Sequence, residues 1–144
     1  IIQLRKSQVQ LCRILKEINF TEKNMSKTEK KEINNIVMES LKDLKTLDII
    51  SIDMKKKSSF TDLLLIGTGT SSTHIKAISN EIIENVKKNG FSENIKGVEI
   101  DNEWVLIDLY DIVVNIMLHE TREFYGLEKL WSDDTNLTSE ITSI

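Results

Sequence analysis

Apolar residues recur at intervals of three and four from Lys31 to Leu47, where Ile33, Ile36, Val37, Leu41 and Leu44 line one stripe. That spacing predicts an amphipathic helix burying one face. From Asp48 to Met54 the period falls to two, with Ile50 and Ile52 alternating with Ser51 and Asp53, which predicts a half-buried strand; Lys55 to Ser59 follow as a polar loop. Leu63, Leu64, Leu65 and Ile66 form a continuous apolar run closed by Gly67, the pattern of a strand covered on both faces. Thr68 to Thr73 is a turn of small hydroxyl residues in which Ser71 or Ser72 caps a second helix. That helix carries Ile75, Ile78, Ile82 and Val86 down one side, and Gly90 ends it in a left-handed conformation.

Val98 to Ile100 reads as a short strand, and Glu103–Leu109 and Asp111–Leu118 as two longer ones with almost nothing between them, so they are expected to pair as a hairpin. Glu120 to Trp131 brings Phe124, Leu127 and Leu130 round at three-residue spacing, predicting helical turns folded back over an exposed sheet edge. Helix, strand, strand, helix, hairpin and terminal helix make an α/β fold of α+β character, with one mixed sheet flanked by helices. Residues 25–131 are read as the single domain and 132–144 as a polar tail. Residues 1–24 are read as an extension, amphipathic or disordered. It sets Leu4, Leu11, Ile14, Leu15 and Ile18 among Arg5, Lys6, Arg13 and Lys16. Such a basic amphipathic stretch suits a targeting remnant or an upstream extension before Met25, and Glu17 and Glu22 favour the latter.

The acidic balance, with a formal charge of −4 and a pI near 5.3, argues against broad attachment to phosphate backbones, which needs a basic face. No apolar run approaches the roughly 20 residues of a membrane span. Cys12 is the single cysteine, which excludes an intrachain disulfide and a multi-cysteine metal site.

Candidate chemistry is sparse. Gly69, Thr70, Ser71 and Ser72 lie between a predicted strand and a helix N-terminus, where backbone amides can hold an anion. The lysine of a phosphate-binding loop is missing, and Ser72 stands where a dinucleotide fingerprint has its third glycine. A capped turn is the simpler reading. Asp101 and Glu103 have the alternation of a metal-binding carboxylate pair but sit in a hydrophilic loop, while Asp108 and Asp111 flank a turn. His74 and His119 lack Cys or Asp at ligand spacing, so no metal site is expected. A nucleotide-binding or nucleotidyl-transferase-like enzyme using the Gly67–Ser72 turn remains the alternative to a binding protein.

The hairpin is more informative. A tight turn from Asp108 to Asp111 sets Ile107 opposite Ile112, Leu106 opposite Val113, Val105 opposite Val114 and Trp104 opposite Asn115. Val105, Ile107, Leu109, Ile112, Val114 and Ile116 then make a uniform core face. The other face mixes Trp104, Leu106 and Val113 with Asp108, Asp111 and Asn115. It suits a protein interface with an aromatic anchor and polar rim; the lesser alternative is that the terminal helix covers it and Trp104 is core.

These residues resemble the ribosomal silencing factors, also called Iojap-related proteins. The resemblance rests on Lys57, Ser58, Ser59, Thr61 and Asp62, on Thr68 to Ser72 with His74, and on Gly97, Val98 and Glu99. It continues through the Trp104 to Asp111 hairpin and ends on Arg122, Tyr125, Leu127, Glu128, Leu130 and Trp131. It implies a domain distantly similar to nucleotidyl transferases but without their activity or any cofactor. It also implies binding to large-subunit ribosomal protein fourteen, so that the small subunit is kept from joining and translation falls when nutrients are short. The partner contacts it implies are Trp104, Leu106, Asp108, Tyr110, Asp111, Val113 and Asn115, with the two aspartates facing basic groups of the partner. A bacterial cytoplasm, or else an organellar matrix, and a homodimer in some members are further implications. Ile100, Tyr110 and Asn115 depart from the family's usual glycine, glycine and histidine. Tyr110, lacking the freedom of glycine, is expected to force a different turn.

Overall fold

The computed structural model describes residues 26–56 and 61–131; the 1–24 extension, Cys12, the Lys57–Ser59 run and the 132–144 tail lie outside them. Helix α1 spans Lys27–Asp43, one turn earlier than the apolar stripe predicted. The missed signal is a capping sequence: Ser26 Oγ accepts the Glu29 N–H at 3.1 Å, and the acid at Glu29 favours the positive end of the helix dipole. At the other end, the Lys45 N–H donates to the Lys42 carbonyl at 3.0 Å and the Thr46 N–H to the Leu41 carbonyl at 2.9 Å, with Lys45 at φ 57°. This closure wants glycine at its left-handed position. Lys45 is exposed, so Lys45→Gly should stabilise the fold by about 1 kcal/mol, read as a rise in the urea midpoint.

Strand β1 (Leu47–Asp53) pairs antiparallel with β2 (Leu63–Gly69) across an irregularity between Leu47 and Ile50, where Asp48 takes φ 47°. Helix α2 (Ser72–Lys88) is capped by Ser71, and Gly90 follows it at φ 87°, as its sequence predicts. A 3-10 turn at Ser92–Asn94 leads to β3 (Gly97–Ile100), β4 (Trp104–Asp108) and β5 (Ile112–Leu118). The chain ends in two short helices, α3 (His119–Tyr125) and α4 (Leu127–Trp131), separated by Gly126 at φ 58°. The single sheet runs β1-β2-β5-β4-β3, parallel only between β2 and β5.

Both faces of this sheet are apolar. On one, Val105, Ile107, Leu109, Ile112, Val114 and Ile116 pack against Ile33, Val37 and Leu41 of α1 and Ile75, Ile78, Ile82 and Val86 of α2. The other holds Ile50, Ile52, Met54, Leu64, Ile66, Trp104, Leu106, Val113 and Met117, joined by Leu127. The hairpin register differs from expectation by two residues: Val105 is opposite Ile116, Ile107 opposite Val114 and Asp108 opposite Val113. The Leu109 N–H donates to the Ile112 carbonyl at 2.8 Å, so the two-residue loop is Tyr110–Asp111. A shift of two preserves side-chain parity, which is why every face assignment survives the wrong register. Tyr110 itself takes the left-handed conformation, φ 67°, where glycine would sit without strain, with the Lys96 ammonium 5.5 Å from its ring.

Candidate docking face and its supports

The Trp104 side of the hairpin is built from the inside outward. Trp104 is 8% exposed, Leu106 5%, and Val113 and Asn115 fully buried, so the open aromatic anchor anticipated from sequence is corrected. The terminal helices lie on this face rather than along an edge. Tyr125 of α3 stacks on Trp104 with ring centroids 4.9 Å apart, and Phe124 meets Tyr125 edge-on at 5.1 Å. Phe124 itself is 64% exposed. The outermost ring of the aromatic stack therefore faces solvent, while the innermost is core. The indole Nε1–H donates to Asn115 Oδ1 at 2.8 Å, so this asparagine holds the ring in place.

The hairpin tip is also turned inward. Asp108 is fully buried, and its Oδ1 accepts the Tyr110 N–H at 3.0 Å, closing the turn. The Asp111 carbonyl accepts three hydrogen bonds from the β1–β2 connection: the Asp62 N–H at 2.9 Å, the Leu63 N–H at 3.0 Å and the Thr61 hydroxyl at 2.7 Å. Its carboxylate lies 3.7 Å from the Lys30 ammonium, which also pairs with Asp62. The expectation that both aspartates face a partner is thus corrected, because the chain's own backbone and Lys30 engage them. Partial burial works against the Lys30 charge, but the hydrogen bond to Asp62 and the two carboxylates outweigh it and hold its pKa above the ordinary 10.5. A raised lysine pKa contributes stability below the unfolded value that is lost as pH rises through the folded one. From neutral pH, where both carboxylates are charged, the stability difference between wild type and Lys30→Met should be constant up to pH 10 and shrink above 10.5, read by urea unfolding across that range.

Arg122, which enters the sequence reading only through the family resemblance and with no contact assigned to it, is 7% exposed. Its Nε pairs with Glu128, and its Nη1 donates to the Asp48 carbonyl at 2.6 Å and to Thr68 Oγ1 at 2.8 Å. One guanidinium thus ties α3 and α4 to β1 and β2, and the left-handed Asp48 presents the carbonyl it takes. Beside it a cleft of about 460 Å³ is lined by Asp48, Thr68, His119, Arg122, Glu128 and Lys129.

The Gly69–Ser72 turn is engaged internally. His74 Nδ1 accepts the Thr70 N–H at 2.9 Å, which places the ring hydrogen on Nε2, 2.6 Å from the Leu44 carbonyl at the end of α1. Ser71 Oγ accepts the His74 N–H, and Ser71 O accepts the Ile75 N–H. A Cβ at Gly69 would lie 2.4 Å from Ile75 Cγ2, so this glycine lets α2 approach β2. Asp101 and Glu103 are exposed on the β3–β4 loop, and no group of three metal-ligating side chains occurs among the described residues.

Residues 27–144 match the family described as ribosomal silencing factor during starvation. The ribosomal silencing factor of Haemophilus influenzae is 41% identical over 96 residues, covering 67% of this chain and 94% of that one. A mouse protein named for mitochondrial assembly of the ribosomal large subunit is 35% identical over 89 residues, covering 59% of this chain and 39% of that one. A crystal structure of a Chromobacterium violaceum protein superposes with a TM-score of 0.66 at 37% identity, covering 70% of this chain and 84% of that one. With the family match running through the hairpin, the aromatic stack and the Arg122 tie alike, this chain belongs to the ribosomal silencing factor family.

Proposed function

We propose that this protein docks on the large ribosomal subunit through ribosomal protein fourteen and sterically keeps the small subunit from joining, repressing translation in a bacterial cytoplasm or an organelle. The observation that carries this reading is the family match over residues 27–144. The docking face we propose is the surface over the hairpin, with Phe124 as its solvent-facing aromatic; Trp104, Leu106, Asp108, Tyr110, Asp111, Val113 and Asn115 form and support it from beneath. The action needs no catalytic step. In support, the Thr70 amide and the Ser71 hydroxyl of the turn that an enzyme would use for phosphate are engaged by the His74 ring and the His74 N–H. A net charge of −4 favours a basic ribosomal protein over ribosomal RNA.

Co-sedimentation with purified large subunits, followed by addition of small subunits, tests the proposal. Wild type should pellet with large subunits and suppress joining; failure to pellet sinks the reading. Phe124→Ala should leave stability within about 0.5 kcal/mol, since the ring is mostly exposed, and weaken pelleting about tenfold. The mouse relative's name favours a second reading, in which the same docking serves subunit assembly. Binding without suppression of joining, and without loss of translation in a reconstituted assay, would select it.

A further inference from the structure

The cleft beside Arg122 carries charges that the fold itself leaves uncommitted. A guanidinium has five N–H donors. Arg122 commits three of them: Nε to Glu128, and Nη1 to the Asp48 carbonyl and to Thr68 Oγ1. The two on Nη2 have no partner among the described residues. Nη2 is not among the enclosed polar atoms that lack a partner either, so it is open to solvent, and the open space that Arg122 lines is this cleft. Two further charged side chains line it without a partner among the described residues, Asp48 and Lys129, both exposed. His119 and Glu123 also line it but meet each other, with His119 Nε2 3.2 Å from Glu123 Oε1.

At about 460 Å³ the cleft lies in the lower part of the range of about 300–1,000 Å³ that small-molecule sites occupy. Its mixed charge narrows the class of molecule. A bare anion drawn to Nη2 and Lys129 meets Asp48, Glu123 and Glu128 on the same walls, and a bare cation drawn to Asp48 meets Arg122 and Lys129. Like charges so placed work against either ligand. A molecule with an ammonium at one end and a carboxylate at the other satisfies both sets at once. Ile50, also on the wall, offers contact to an apolar tail. The acceptor and donor ends are held differently: Asp48 is fixed by its own backbone, whose carbonyl Arg122 takes, and Arg122 by its three bonds. Both are therefore oriented before any ligand arrives, which lowers the ordering cost of binding.

We infer that this cleft binds a small zwitterion of the α-amino-acid class, its carboxylate on Arg122 Nη2 and Lys129, its ammonium on Asp48 and its side chain toward Ile50. The inference stands apart from the ribosomal reading, because it rests on the cleft alone. Backbone amide signals of the full-length protein, followed as L-leucine is added to about 10 mM, provide the test, since a dissociation constant of about 1 mM or tighter is expected of so small a ligand. The signals of Thr68, Gly126 and Lys129 should move, while those of Ile78 and Val86 on α2 stay in place. Isocaproate, which lacks the ammonium, and isoamylamine, which lacks the carboxylate, should each bind at least about fivefold more weakly. Asp48→Asn and Lys129→Gln should each weaken L-leucine about threefold or more with an unchanged urea midpoint. Asparagine tolerates the φ of 47° at this position and keeps the carbonyl that Arg122 takes, so a loss of binding in Asp48→Asn reports the missing charge. No movement of these signals up to the highest L-leucine concentration would overturn the inference. So would isocaproate binding as tightly as L-leucine, which marks an anion site, or isoamylamine doing so, which marks a cation site.

Discussion

Arg122→Met should destabilise the domain by about 3–5 kcal/mol, measured as a fall in urea unfolding free energy with an unchanged slope. The guanidinium and the Glu128 carboxylate are 8% and 10% exposed, and removing one member of a pair so placed leaves the other charge in poor solvent. Two further acceptors, the Asp48 carbonyl and Thr68 Oγ1, lose their donor in the same step. The size of the loss is what distinguishes this pair from a surface ion pair, which contributes about 1 kcal/mol or less. Glu128→Gln in the Arg122→Met background should recover part of the loss, since a neutral amide is cheaper to bury than a carboxylate that has lost its guanidinium. A double-mutant cycle giving a coupling energy below about 0.5 kcal/mol would show that the two side chains act independently. Because Arg122 anchors α3 and α4, the same variant should loosen Tyr125 from Trp104, and near-ultraviolet circular dichroism reads that change directly.

Why Arg122 was invisible in the sequence is instructive beside what was visible. The sheet faces follow from period-two alternation, a property of each strand alone, so Val105, Ile107 and Leu109 were assignable to the core without knowing their partners. Register is a property of two strands and a turn. Tyr110 at φ 67° carries no turn signature, since the residue that normally announces that conformation is glycine, and the turn lies one residue later than expected, which shifts the pairing by two. Arg122 and Asp111 are harder still. A charged residue on a short helix reads as solvated unless its acceptors are known, and those acceptors lie 74 and 54 residues away at Asp48 and Thr68. Lys30 reaches Asp62 across 32 residues in the same way. His74 is half local: a histidine three residues past a serine N-cap finds the Thr70 N–H beside its ring, while its other ring nitrogen meets the Leu44 carbonyl 30 residues away.

Trp104→Ala should cost about 3–5 kcal/mol of folding stability, which changes how its effect on docking must be read. As an open anchor the residue would lose binding with little change in the free protein. At 8% exposure, stacked under Tyr125 and bonded to Asn115, it leaves behind a cavity, an unpaired buried amide oxygen and an aromatic lid without a base. Trp104→Phe separates these contributions. It keeps most of the ring's apolar volume but deletes the Nε1–H donor, so its cost should fall to about 1–2 kcal/mol, chiefly the desolvated Asn115 oxygen. If the docking face acts through the aromatic stack, Trp104→Phe should bind large subunits nearly as wild type does. Trp104→Ala, assayed where it remains folded, should bind at least about thirtyfold more weakly, because Tyr125 and Phe124 lose the surface that orders them. Equal binding by both variants would mean that Phe124 is positioned without Trp104 and that the indole serves folding alone. A large loss in Trp104→Phe would mean instead that the Nε1–H···Oδ1 bond itself sets the geometry that the ribosomal partner meets.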